Sequence, residues 1–137
     1  MEELTTQNML SQLSQEQGQF YCSFSPNDIK GKKQLFKIMT TPDKKLSDMI
    51  NMEINVTDVF CEVVSMASET TGEITETVRV VLIDSKGVSY QCVSQGIFNA
   101  IKRLFAIFGP PTWEEGIKLK VIQINKKERS ILSLEIV

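Results

Sequence analysis

Histidine is absent from this 137-residue chain. Ser–His and Cys–His nucleophile pairs and most zinc sites are thereby excluded, because each needs an imidazole as base or ligand. Glycine-rich phosphate loops and the GxGxxG spacing of dinucleotide binders are missing as well. Cysteine is scarce, and Cys22, Cys61 and Cys92 form an odd, scattered set without metal-ligand spacing. They read as reduced, buried thiols of a cytoplasmic protein, not as a disulfide frame. No apolar run approaches the roughly 18–20 residues that span a bilayer. The start of the chain is acidic and Gln/Ser-rich, without the basic stretch and apolar run of a signal peptide. The acidic pairs Glu2-Glu3 and Glu114-Glu115 are adjacent in sequence, the spacing of solvated charge. No catalysis, cofactor, metal or membrane partner is expected.

What is present is an ordinary globular composition, 42% hydrophobic and 23% charged, with a net charge of −2. The length fits one domain with a real core. The overall charge argues against a protein that coats nucleic acid by its sign alone, but the sign changes along the chain. Lys30, Lys32, Lys33, Lys37, Lys44 and Lys45 fall in one window, opposed only by Asp28 and Asp43. From Leu46 to Thr77 there are seven acidic residues and no basic one. One part of the surface should attract phosphate and another repel it. The lysine window has two readings, a solvated face or a binding edge.

Periodicity supplies the elements. Met1 to Gln19 is polar, with Leu4, Met9, Leu10 and Leu13 at loosely helical spacing, and reads as a flexible arm that is helical in places. Phe20 to Ser25 (FYCSFS) is aromatic-dense before the turn signal Pro26-Asn27-Asp28. Its Tyr21 and Phe24 either pack on the domain or offer stacking faces. Gly31 to Thr40 (GKKQLFKIMT) reads as a strand. In the long strand Asp48 to Ser65, Ile54 and Val56 keep one period, and Val59, Cys61 and Val63 resume it after a slip at Thr57-Asp58. Such a slip is what a β-bulge produces. With this phasing Phe60 points outward beside Glu62 as an exposed aromatic. Met66 to Thr77 reads as a long hairpin loop.

The stretch from Val78 onward has the least slack. Val78 to Asp84 (VRVVLID) is a β-branched run, Ser85-Lys86-Gly87 a turn, and Val88 to Val93 an alternating strand. Ser94 is placed to cap a helix that carries Ile97, Phe98, Ile101, Leu104, Phe105 and Phe108 on one stripe. Gly109 and Pro110-Pro111 end it. Lys118 to Ile124 and Ile131 to Val137 are two more strands around Asn125 to Ser130. The expectation is a mainly β fold: an OB-like five-stranded antiparallel barrel, with one helix between strands 3 and 4. Residues 46–137 would form that domain, and residues 1–45 an N-terminal extension with one added strand. A helix packed on an open antiparallel sheet has the same order of elements.

Aromatic and basic residues on such a frame suit single-stranded nucleic acid, because every base has a π-face and every linker a phosphate. The candidate contacts are Lys32, Lys33, Phe36, Lys37, Phe60, Arg79, Tyr90, Lys126, Lys127 and Arg129. Lysine and arginine would hold phosphates while Phe36, Phe60 and Tyr90 stack bases along one sheet face. Lys126, Lys127 and Arg129 lie in the last hairpin turn, a loop that flanks the binding face in OB-folds. Trp113 is either a hydrophobic plug at the barrel end or a stacking residue. Lys102 and Arg103 read as solvated.

Several runs are also familiar as sequence: INVTDVFCEVV (Ile54 to Val64), TTGEI (Thr70 to Ile74), VRVVLIDSKGVSY (Val78 to Tyr90) and SQGIFNAIKRLFAIFGPPTWEEGIKLKV (Ser94 to Val121). Together they resemble a family of small single-stranded DNA-binding proteins of bacteriophages and mobile elements of Gram-positive bacteria, including phages with protein-primed replication. The resemblance spans roughly Leu46 to Val137 and implies an OB-like domain that coats displaced single strands during replication in the host cytoplasm. It implies no catalysis and identifies no stacking residue. Replication proteins of the same phage or element would be its partners. The chain ends in an apolar strand, without the acidic tail by which cellular counterparts recruit enzymes. Two other readings use the same residues, a protein-interaction module that adds a strand to a partner and an RNA-binding OB module.

Overall fold

The computed structural model describes residues 20–24, 28–67, 70–126 and 129–137. The β-branched and alternating runs form strands, and a long central one organises the rest. That strand, β3 (Glu53–Ala67), follows β1 (Phe20–Cys22), α1 (Ile29–Thr40), β2 (Lys44–Lys45) and a 3-10 turn at Leu46–Met49. After it come β4 (Ile74–Asp84), β5 (Ser89–Val93), α2 (Gln95–Phe108), β6 (Ile117–Lys126) and β7 (Arg129–Ile136). Among the described residues, seven strands make one sheet in the order β2-β5-β4-β3-β6-β7, with β1 also paired to β3. β3 is long enough to serve two neighbours on one side. Its start, Glu53 to Val56, pairs with β6, and Phe60 to Glu62 pairs with β1.

The register between β3 and β4 shifts between Val56 and Asp58, the bulge expected from the phase slip at Thr57-Asp58. It is pinned by hydrogen bonds. Asp58 Oδ1 accepts from Ser23 Oγ at 2.9 Å and from Thr112 Oγ1 at 2.5 Å, while Ser23 Oγ accepts from the Val59 N–H at 2.9 Å. Beyond the bulge, the strand faces alternate as the sequence requires. Val59 and Cys61 with Val80, Leu82 and Tyr90 join the inner core, which α2 covers with Ile97, Phe98, Ile101, Leu104 and Phe105. Phe60, Val81 and Ile83 point to the opposite face.

Three expectations are corrected here. The ladder between β3 and β4 runs on to Ala67 opposite Ile74, so Met66 to Thr77 is largely paired strand and not a long loop. Gly31 to Thr40 is helical, not a strand: Asp28 Oδ1 accepts from the Gly31 N–H at 2.7 Å and caps α1. Leu35, Ile38 and Met39 then fall at helical spacing on one side and pack over Phe60, Val81 and Ile83. The sheet is also mixed, not wholly antiparallel, because β2 runs parallel to β5 with Lys44 opposite Tyr90. Parallel neighbours need a long connection, and the chain through β3 and β4 supplies it. Expectations for Met1 to Gln19 and for the Pro26-Asn27 turn fall outside the described residues.

The second helix forms as its sequence reads. Ser94 Oγ accepts from the Ile97 N–H, and Gly109 ends α2 at φ 79° with its N–H on the Phe105 carbonyl. The start of α2 lies directly on β7. A Cβ at Gly96 would run into the Leu132 carbonyl oxygen and the Ile131 side chain. Gly96→Ala is therefore expected to push α2 off β7 and cost about 1–3 kcal/mol, the range for overpacking. Urea unfolding checks this, and an unchanged midpoint would show that the contact relaxes freely.

Cys22, Cys61 and Cys92 are free thiols. Burial pushes Cys22 up to about 11 and Cys92 up to about 12, and raises buried Cys61 further. Among the described residues, no helix is long and apolar enough to cross a membrane.

Candidate nucleic-acid interface

Because α1 packs through Leu35, Ile38 and Met39, its other side is left to solvent. Ile29, Lys32, Lys33, Phe36 and Lys37 share that side at i, i+3 and i+4 spacing. Phe36 is 69% exposed and Ile29 68%. Four of the sequence candidates, Lys32, Lys33, Phe36 and Lys37, thus meet on one exposed helix face. The basic run continues through Lys44 and Lys45 of β2, both exposed.

Lys30 and Lys32 near the start of α1 oppose the positive end of its dipole, and α1 has no acidic residue in its first turn. The arrangement costs helix stability while concentrating positive potential, the kind of local conflict expected at a functional surface. The two aspartates within the window do not neutralise it evenly. Asp28 is committed to the helix cap. Asp43 lies 2.7 Å from Lys37 Nζ and accepts from the Ser89 N–H and Oγ at 3.0 and 3.1 Å. Its carboxyl is held below the usual range, first by the Lys37 hydrogen bond and then by the Ser89 N–H. Asp43 therefore fastens the end of α1 to β5, and Lys37 is the one lysine of this face with a carboxylate partner among the described residues.

The other candidates are placed differently. Phe60 does point to the outer face, but it is 0% exposed, since α1 and β1 cover that face. Its ring stacks on Phe20 at 5.5 Å. Arg79 lies beneath the same helix with its side chain 11% exposed. Its guanidinium donates to Glu62 Oε1 at 2.7 Å, Gln91 Oε1 at 3.2 Å and the Ile38 carbonyl at 3.1 Å. That carbonyl belongs to the last turn of α1, where backbone acceptors lack helical partners and a cation is favourable. Arg79 thus clamps the helix to the sheet. Tyr90 belongs to the inner core, and its hydroxyl donates to Asp84 Oδ2 at 2.7 Å. Burial first, and then Asp84, push the phenol up to about 12. Phe36, Phe60 and Tyr90 therefore do not line one sheet face: the first is on a helix and the other two on opposite sides of the sheet.

Lys126 and Arg129 pair through their backbones at the end of the β6–β7 hairpin, and Lys127 lies outside the described residues. Trp113 takes the packing role of its two readings. It meets Phe105 edge-on at 6.0 Å, and its indole N–H donates to the Gly109 carbonyl at 3.2 Å. Tyr21 likewise packs inward on Phe105.

Sequence reasoning missed Ile29 and the helical nature of the basic face. The available signal was Asp28 three residues before Gly31, followed by apolar Leu35, Ile38 and Met39. A family model described as Phage Single-stranded DNA-binding protein matches residues 14–137. No curated protein and no solved structure matches the chain.

Proposed function

Because the chain belongs to the phage single-stranded DNA-binding protein family, we propose that the exposed side of α1 is where it holds the strand. The observation that carries this is Phe36, 69% exposed between Lys32, Lys33 and Lys37 on one helix face. Lys32 and Lys33 contact successive phosphates, and Lys37 exchanges Asp43 for a phosphate as the strand arrives. Phe36 stacks on a base. None of these contacts reads a base edge, so binding has little sequence preference. The β6–β7 turn, with Lys126, Lys127 and Arg129, adds phosphate contacts. Such a protein coats strands displaced during replication of a phage or mobile element and acts by binding, not by catalysis.

The frame for this is an OB-like barrel built from β3, β4, β5, β6 and β7, with α2 between its third and fourth strands. The order β5-β4-β3-β6-β7 supports that reading. In this family member the outer face of β3 and β4 carries α1, which presents the contacts one layer further out.

Fluorescence anisotropy of labelled oligo(dT), oligo(U) and duplex DNA tests the proposal. Oligo(dT) is expected to bind more tightly than duplex, with log affinity falling against log salt by about 0.7 per phosphate contacted. Phe36→Ala should weaken oligo(dT) about 5- to 150-fold, corresponding to about 1–3 kcal/mol for one stacked base. Equal binding of duplex, or an unchanged Phe36→Ala affinity, would remove α1 as the platform. Preference for oligo(U) would make RNA the ligand.

A further inference from the structure

Away from α1, a groove of about 720 Å³ runs between α2 and the β6–β7 hairpin. Ala100, Arg103, Ile107 and Phe108 form its helix wall, and Ile124 and Ile136 lie across from them. Four large apolar side chains are left open to solvent there, with Ile107 76% exposed. Apolar patches of this kind mark interaction surfaces more often than bare solvent faces.

Elsewhere the chain carries a shape that matches. Among the described residues, β3 pairs with β1 to Glu62 and with β6 to Val56, and β4 pairs with β5 from Arg79 onward. Beyond Val63 and Val78, which still pack on the core, residues 65–67 and 74–76 continue as a ladder of two strands with no third partner among the described residues. Near its tip Ile74 is 73% exposed, with exposed Glu73 and Glu76 beside it. Ile74 and Glu76 are two apart on one strand and so share a face. None of the described tip residues lines the groove of its own chain.

We infer that the ladder tip of one copy docks in the α2/β7 groove of the next copy along the strand. Ile74 enters between Ile107 and Ile136, and Glu76 meets Arg103 at the rim. Charge complementarity selects this occupant: the tip is apolar and acidic, whereas the groove is apolar with an exposed arginine. The contact is heterologous, so it propagates as an open row and does not close on itself. A surface this small holds copies together only when something else brings them close. The strand does so by raising the effective concentration of neighbours. The inference rests on the single-strand reading above and specifies how copies assemble on that ligand.

The experiment compares oligo(dT) long enough for one copy with long poly(dT), using wild type, Ile74→Lys, Ile107→Glu, Arg103→Glu and the double variant Glu76→Arg/Arg103→Glu. All these side chains lie on the surface, and thermal melts confirm folding. Wild type is expected to bind poly(dT) cooperatively. The three single variants should keep short-oligo affinity while half-saturation on poly(dT) rises about tenfold, a loss suited to a contact of this size. The double variant should recover cooperativity. Unchanged poly(dT) isotherms in the single variants would overturn the inference while leaving the α1 interface standing. Parallel loss on the short oligo would also overturn it, by making these residues DNA contacts. Wild type that fails to bind even the short oligo would sink the single-strand reading, and this inference with it.

Discussion

Replacing Lys32 and Lys33 together by glutamate is expected to lower oligo(dT) affinity about 25-fold at about 0.1 M salt. Each lysine–phosphate contact contributes about 0.7 to the slope of log affinity against log salt. Losing two contacts flattens that slope by about 1.4, so wild type and variant converge near about 1 M and separate about 25-fold one decade below it. Charge reversal adds repulsion, which makes this a lower bound. The loss cannot come from unfolding. Both lysines lie on the exposed side near the start of α1, a turn without acidic residues. Glutamates there no longer oppose the helix dipole, an effect that fades beyond the first turn, so stability should be unchanged or slightly higher. Binding falls while stability holds or rises, and those opposite signs identify an interface. Unchanged affinity and an unchanged slope would show that the basic face is merely solvated.

Phe60→Ala should behave the other way round. The ring is fully buried between the sheet and α1, stacked on Phe20 and packed with Ile38, Val81 and Ile83. Truncating a buried phenylalanine costs about 3–5 kcal/mol, from lost transfer energy and the cavity left behind. Against a typical total of about 5–15 kcal/mol, that is a large share. The damage concentrates where α1 sits, because Ile38, Leu35 and Met39 have little else to pack on. Urea unfolding is expected to shift strongly, and oligo(dT) affinity to fall as the α1 platform loosens. Phe60→Leu, which keeps most of the volume, should retain both. If Phe60→Ala instead lost affinity with an unchanged unfolding midpoint, Phe60 would be a stacking residue reached by the strand after α1 moves.

Phe60 also shows where sequence reading stops. The bulge at Thr57-Asp58 and the faces from Ile54 to Val63 were legible, because strand alternation is local and a one-residue slip is visible in the pattern. Burial of an outward residue depends on what lies above it, and strand periodicity contains no term for a covering layer. The same limit applies to Arg79 and Tyr90. Their strands were readable, but the Ile38 carbonyl that engages one and the inner core that encloses the other come from distant parts of the chain. α1 itself was misread for a different reason. Gly31 sits inside the helix and the segment is short, so the cap at Asp28 and three apolar positions had to outweigh a lysine-rich, featureless run.

By itself the sequence determined the strands from Glu53 onward except for the ladder at the far end of β3 and the start of β4, the capped helix between β5 and β6, the uneven distribution of charge and the family. Each of these is written in neighbouring residues: β-branched alternation, Ser94 and Gly109 at helix ends, lysines gathered in one window. Only the tertiary structure decided which candidates reach solvent. It laid α1 over the outer sheet face, buried Phe60 and engaged Arg79, and so brought Lys32, Lys33, Phe36 and Lys37 together on the one side that packing left open. The reason is physical. Periodicity assigns a residue to a face, but exposure is settled by whatever apolar surface elsewhere in the chain gains most by covering that face.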